Sequence, residues 1–107
     1  MRKTAFALVD VVDAKRPLQF GAVNDSSFEV GRLDPVKLAE CIAHEPPETK
    51  NRKIYVALLK SLGSADFLET LRECWREILK NKWGPVATHP DALIGRLRKV
   101  ERQKAIQ

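Results

Sequence analysis

Apolar residues recur at helical spacing in the last two-thirds of the chain and in shorter, extended-looking groups before that. Residues 4–13 (Thr-Ala-Phe-Ala-Leu-Val-Asp-Val-Val-Asp) form a compact apolar run, and the β-branched Val9, Val11 and Val12 favour a strand. A short buried helix is the alternative, because such a run does not set its own period. Leu18, Phe20 and Ala22 alternate, Asn24-Asp25-Ser26-Ser27 reads as a turn, and Phe28 and Val30 share a face. Residues 1–34 are therefore expected to form a two- or three-stranded antiparallel β-meander.

The period then changes. Asp34-Pro35 is a helix start, with Asp at the N-cap and Pro at the first helical position. Val36, Leu38, Ala39, Ile42 and Ala43 form its apolar stripe, and Pro46-Pro47 ends it. Ile54, Tyr55, Leu58, Leu59 and Leu62 predict a second helix, with Gly63 supplying the positive φ at its end. Ser64 is the expected N-cap of a third helix, whose core face runs Phe67, Leu68, Leu71, Cys74, Trp75, Ile78 and Leu79 until Gly84-Pro85. A fourth begins near Pro90. Thr88 and Asp91 have capping-box spacing there, and Leu93, Leu97 and Val100 make the apolar face. The expected architecture is α+β: a β-rich part over 1–34, then about four α-helices over 35–107, within one compact domain spanning 1–107.

Composition narrows the class. A chain of 107 residues that is 44% hydrophobic can build its own core, and two cysteines cannot make a disulfide scaffold. No stretch approaches the length of a membrane span. The apolar run after Met1-Arg2-Lys3 is broken by Asp10, so it does not read as a secretory leader. Few cysteines and many Lys and Arg fit a reducing, cytoplasmic setting.

Charge is the most informative feature. Residues 1–79 hold twelve basic and twelve acidic side chains, so the net +5 lies wholly in residues 80–107. That segment carries Lys80, Lys82, Arg96, Arg98, Lys99, Arg102 and Lys104 against only Asp91 and Glu101. On a helix Arg98, Lys99 and Arg102 fall opposite Leu93, Leu97 and Val100, giving one face for a core and one for a polyanion or an acidic protein surface. Lys50, Arg52 and Lys53 form a second basic group at the start of the second helix, where cations oppose the helix dipole. Trp83, between these cations and Gly84, is the aromatic placed to stack on a base or to plug the end of the third helix. The i, i+3 pairs Glu69–Arg72, Glu73–Arg76 and Glu77–Lys80 suggest a solvent face laced by ion pairs, too acidic for a DNA groove.

Other chemistry finds little support. Cys41, His44, Cys74 and His89 could number a zinc set, but Cys74 lies inside an apolar stripe and fifteen residues from His89. Asp10, Asp13, Asp25, Glu29 and Asp34 could hold a magnesium ion, yet most sit where turns and caps are expected. Gly-rich phosphate loops and nucleophile or zincin motifs are missing. No cofactor, metal or catalytic residue is expected.

Residues 83–99, a turn followed by Pro-x-x-Leu and a basic helix, resemble the short helical tails of some plasmid and phage replication proteins. The resemblance carries no functional residue across. The expectation is a small non-enzymatic nucleic-acid-binding accessory or regulatory protein of bacterial, phage or plasmid origin. DNA or RNA would be held by phosphate contacts from Arg96, Arg98, Lys99, Arg102, Lys104, Lys80, Lys82, Lys50, Arg52 and Lys53, with Trp83 placed to stack on a base. The alternative is a protein-interaction module, working as an adaptor, an assembly subunit or a host-directed inhibitor, that docks on an acidic surface, alone or within an oligomer or larger complex.

Overall fold

A computed structural model describes residues 22–46 and 48–106. Among the described residues the chain is helical and holds no strand. Four α-helices follow a 3-10 turn at Asp25–Phe28: α1 (Pro35–Ile42), α2 (Arg52–Leu62), α3 (Ser64–Leu79) and α4 (His89–Ile106). A second 3-10 turn, Val86–Thr88, leads into α4.

The α+β expectation is corrected by this. The strand expected over residues 4–13, and most of the one over 18–23, lie outside the described residues. Phe28 to Leu33, expected as a strand, instead end a helical turn and continue as turns and a bend. The physical reason is a reciprocal cap. Asn24 Oδ1 accepts from the Ser26 amide at 3.0 Å, and Ser27 Oγ accepts from the Asn24 amide at 3.1 Å. Tertiary contacts with α3 hold the turn closed. Phe28 packs its ring on Trp75 at 5.2 Å, Arg76 pairs with Asp25 at 3.2 Å, and Arg72 donates to the Asp25 carbonyl. Val30 is 65% exposed while Phe28 is buried, so the two do not share a face.

The helix signals fare better. Asp34 Oδ1 accepts from the amides of Val36 and Lys37, and Pro35 occupies the first turn. α1 stops at Ile42, short of Pro46, because His44 takes a left-handed φ of 60°. Gly63, at φ 85°, closes α2 by donating to the Leu59 carbonyl and opens α3 by accepting from the Phe67 amide. Ser64, expected as the cap, is the first helical residue. Thr88 directs its hydroxyl to the Pro85 carbonyl of the 3-10 turn.

Leu38, Ile42, Tyr55, Phe67, Leu71, Leu93 and Leu97 are fully buried, so all four helices meet in one core. α3 and α4 run antiparallel. Glu77 meets Arg96 at 2.8 Å at one end, and Asp66 meets Lys104 at 2.8 Å at the other. The solvent face expected on α3 is corrected accordingly. Glu69 keeps Arg72 at 3.7 Å, but Arg76 turns to Asp25 and Glu77 turns to α4.

A buried polar knot anchors the start of α2. Glu45 accepts from the Tyr55 hydroxyl on one oxygen and from Thr49 Oγ1 and Asn51 Nδ2, both at 2.8 Å, on the other. Glu40 accepts from the Thr49 amide at 3.1 Å and faces Arg52 Nη1 at 3.5 Å. Burial raises the Glu40 carboxyl above its ordinary range, against the opposing pull of Thr49 and Arg52. Asn51 spends its side chain on Glu45 and makes no cap bond to α2.

Candidate nucleic-acid interface

α4 presents two kinds of cation. Leu93, Ile94 and Leu97 are buried, with Val100 half-buried beside them, and they hold the helix down. Arg98, Lys99 and Arg102 stand exposed on the far side. No ion pair joins these three to a carboxylate among the described residues, although Glu101 is three positions from Arg98.

The other two cations of α4 are engaged inside the protein. Arg96 forms a two-pronged contact with Glu77, at 3.0 and 2.8 Å. Such a fork matches the carboxylate plane and fixes both partners. The Glu77 carboxyl is held below its ordinary range by Arg96 first and by the Trp83 N–H second. Lys104 reaches Asp66 and also donates to the Leu62 carbonyl at 2.7 Å. It thereby satisfies a free carbonyl at the end of α2, where the helix dipole favours a cation.

Trp83 is half-buried. Its Nε1 donates to Glu77 at 2.9 Å, and its ring meets His89 edge-on at 5.3 Å. Its N–H and one ring edge are thus committed to closing the end of α3. His89 is buried against Trp83 and against His44, whose ring centre lies 5.1 Å away. Burial first, and His89 second, lower the His44 pKa.

Lys80 and Lys82 are exposed at the end of α3. The turn between them is tight, with Asn81 at φ 61°, and cations there also complement the dipole of α3. Lys50 and Lys53 are exposed at the start of α2, whereas Arg52 reaches inward to Glu40. The eleven residues expected to meet a nucleic acid thus divide. Arg96, Lys104, Arg52 and Trp83 tie helices and loops together; Arg98, Lys99 and Arg102 form one exposed group on α4; Lys80, Lys82, Lys50 and Lys53 sit at helix ends.

Among the described residues no group of three or more His, Cys, Asp or Glu side chains gathers to hold a metal ion. Cys41 and Cys74 are buried, and burial pushes both thiols up to about 12. No helix among the described residues is long and apolar enough to cross a membrane. Comparison with known proteins returned no matching family, no similar curated protein and no similar solved structure.

Sequence reasoning missed Glu77. Its i, i+3 neighbour Lys80 pointed to a surface pair, and only the crossing of α3 and α4 supplies Arg96 and Trp83 as its partners. It also missed Lys60, which extends the basic stripe of α2 by two turns beyond Lys53.

Proposed function

We propose that this chain is a non-enzymatic nucleic-acid-binding protein that grips phosphates through Arg98, Lys99 and Arg102. One observation carries the reading: these three cations are exposed and free of carboxylates among the described residues, while Arg96 and Lys104 on the same helix are used for packing. Exposed, unpaired cations add little to stability, and their clustering on one face suits an external anion.

The contact is a charged surface, not a reader of bases. The first turn of α4 offers buried His89, Pro90 and the single carboxylate Asp91, with none of the Arg, Asn or Gln side chains that read base edges bidentately. Trp83 has its N–H on Glu77 and packs at right angles to the His89 ring, which suits a plug at the end of α3 better than a platform for bases. Binding by backbone charge alone is indifferent to sequence.

The test is the triple variant R98E/K99E/R102E, titrated with mixed-sequence duplex DNA, single-stranded DNA and RNA at about 50 mM salt, where phosphate contacts are strongest. Three contacts contribute about 2.7 units to the slope of log K against log salt on a duplex, and the variant should lose that share. Affinity should fall alike across sequences. A folded variant that binds as before, or a parent chain that binds none of the three, refutes the proposal.

A further inference from the structure

We propose that the outward stripe of α2 is a docking groove for an acidic amphipathic helix of a partner protein. Arg52, Lys53, Val56, Ala57 and Lys60 line an open, shallow depression of ≈ 420 Å³ along the face of this one helix. Their spacing, i, i+1, i+4, i+5 and i+8, puts them on one side of the helix, away from buried Tyr55, Leu58 and Leu62. This surface lies on a different helix from Arg98, Lys99 and Arg102, and the inference does not rest on the nucleic-acid reading.

The lining has two parts. Half-buried Val56 and exposed Ala57 make an apolar floor, widened by the methylene stems of the lysines. Ala57 is small, so a partner backbone can come close. Lys53 and Lys60 are exposed at either end of this floor. Seven residues of helix separate them by about 10 Å, the rise of two turns. An amphipathic helix laid along α2 with carboxylates two turns apart would meet both.

Internal needs do not explain Lys53, whereas Lys60 lies in the last turn of α2, where the helix dipole favours a cation. Lys53 stands in the first turn of α2, where the dipole disfavours positive charge, and that turn holds no acidic residue. Asn51 gives α2 no side-chain cap, its Nδ2 donating instead to Glu45. Neither Lys53 nor Lys60 forms an ion pair among the described residues. Arg52 does pair with buried Glu40, yet its side chain keeps 35% exposure at the groove.

The apolar floor decides between kinds of polyanion. A phosphate backbone gains from the lysines but gains nothing from Val56 and Ala57, and the lining holds no aromatic ring on which a base could stack. A helix with an apolar stripe flanked by Glu or Asp uses both parts of the surface.

The experiment titrates the isotope-labelled full chain with a synthetic helical peptide of about 18 residues, its Leu at i, i+3, i+4 and i+7 and its Glu two turns apart on the flank. A permuted peptide of identical composition serves as comparison. Amide shifts should change along residues 52–60, and the permuted peptide should bind at least about tenfold more weakly. The variant K53E/K60E should lose affinity by a similar factor, while R98E/K99E/R102E should not change it. Absence of binding up to about 1 mM, equal binding of the permuted peptide, or shifts centred on another helix would overturn the proposal. So would mixed-sequence duplex DNA that perturbs the same amides and displaces the peptide, which would give the groove to a nucleic acid.

Discussion

Replacing Tyr55 by Phe isolates the buried knot that fixes the start of α2. The ring is fully buried and stays packed in the variant; only the hydroxyl is lost. That hydroxyl donates to Glu45 Oε1. Burial, and then Glu45 itself, raise the phenol far above its ordinary range, so it is a donor at every working pH. A hydrogen bond to a charged acceptor contributes about 1.5–3 kcal/mol. Glu45 keeps two donors, Thr49 and Asn51, on its other oxygen, which argues for the lower half of that range. At about 4–8 °C per kcal/mol for a domain near this size, Tm should fall by roughly 6–18 °C. Urea denaturation followed by far-ultraviolet circular dichroism measures the loss through a lower midpoint at unchanged m-value. The double variant Y55F/E45Q should lose less than the sum of the singles, because each removes the same interaction. A single-variant loss under about 0.5 kcal/mol, or strict additivity, would mean that the knot does not hold α2 in place.

Two further outcomes concern pH. Burial raises the folded-state pKa of Glu40 above its ordinary value of 4.5, so native Glu40 binds a proton more readily than it does unfolded, and its contribution falls as pH rises above that value. Glu40→Gln removes this slope: relative to the parent, the variant should be best placed near pH 7 and should lose ground as pH falls toward 4.5, measured as Tm across that range. Glu77 behaves in the opposite sense, because Arg96 and then Trp83 lower its pKa. Its stabilisation is present above 4.5 and is lost as pH falls below it, so Glu77→Gln should cost about 1 kcal/mol at pH 7 and much less near pH 3, with Trp83 fluorescence reporting the loosened contact. An equal cost at both pH values would show that the Glu77 charge is not what holds α3 to α4.

The helical half was legible because its signals are local. A helix period and a cap depend on neighbours within a turn or two. Asp34-Pro35 therefore begins α1, Gly63 closes α2, and Phe67, Leu71, Cys74 and Trp75 face the core as their spacing predicts. The segment after Asn24 misled for the opposite reason. Alternation over Phe28 and Val30 is a weak signal, and an Asn–Ser cap together with Trp75, Arg72 and Arg76 on α3 outweighs it.

The chain by itself therefore determined where the helices run, most of the residues that line their buried faces (Leu79, expected on the core face of α3, is 56% exposed at its end), and that the surplus positive charge is confined to residues 80–107. Only the tertiary structure decided which of those charges are spent. A Glu or an Arg in a sequence announces that it can pair, but its partner is whichever side chain the helix crossing brings within about 4 Å. Arg96 and Glu77 are nineteen residues apart, and Lys104 lies near Leu62 from forty-two residues away. Those crossings pair Arg96 and Lys104 with carboxylates of α3 and leave Arg98, Lys99 and Arg102 facing outward.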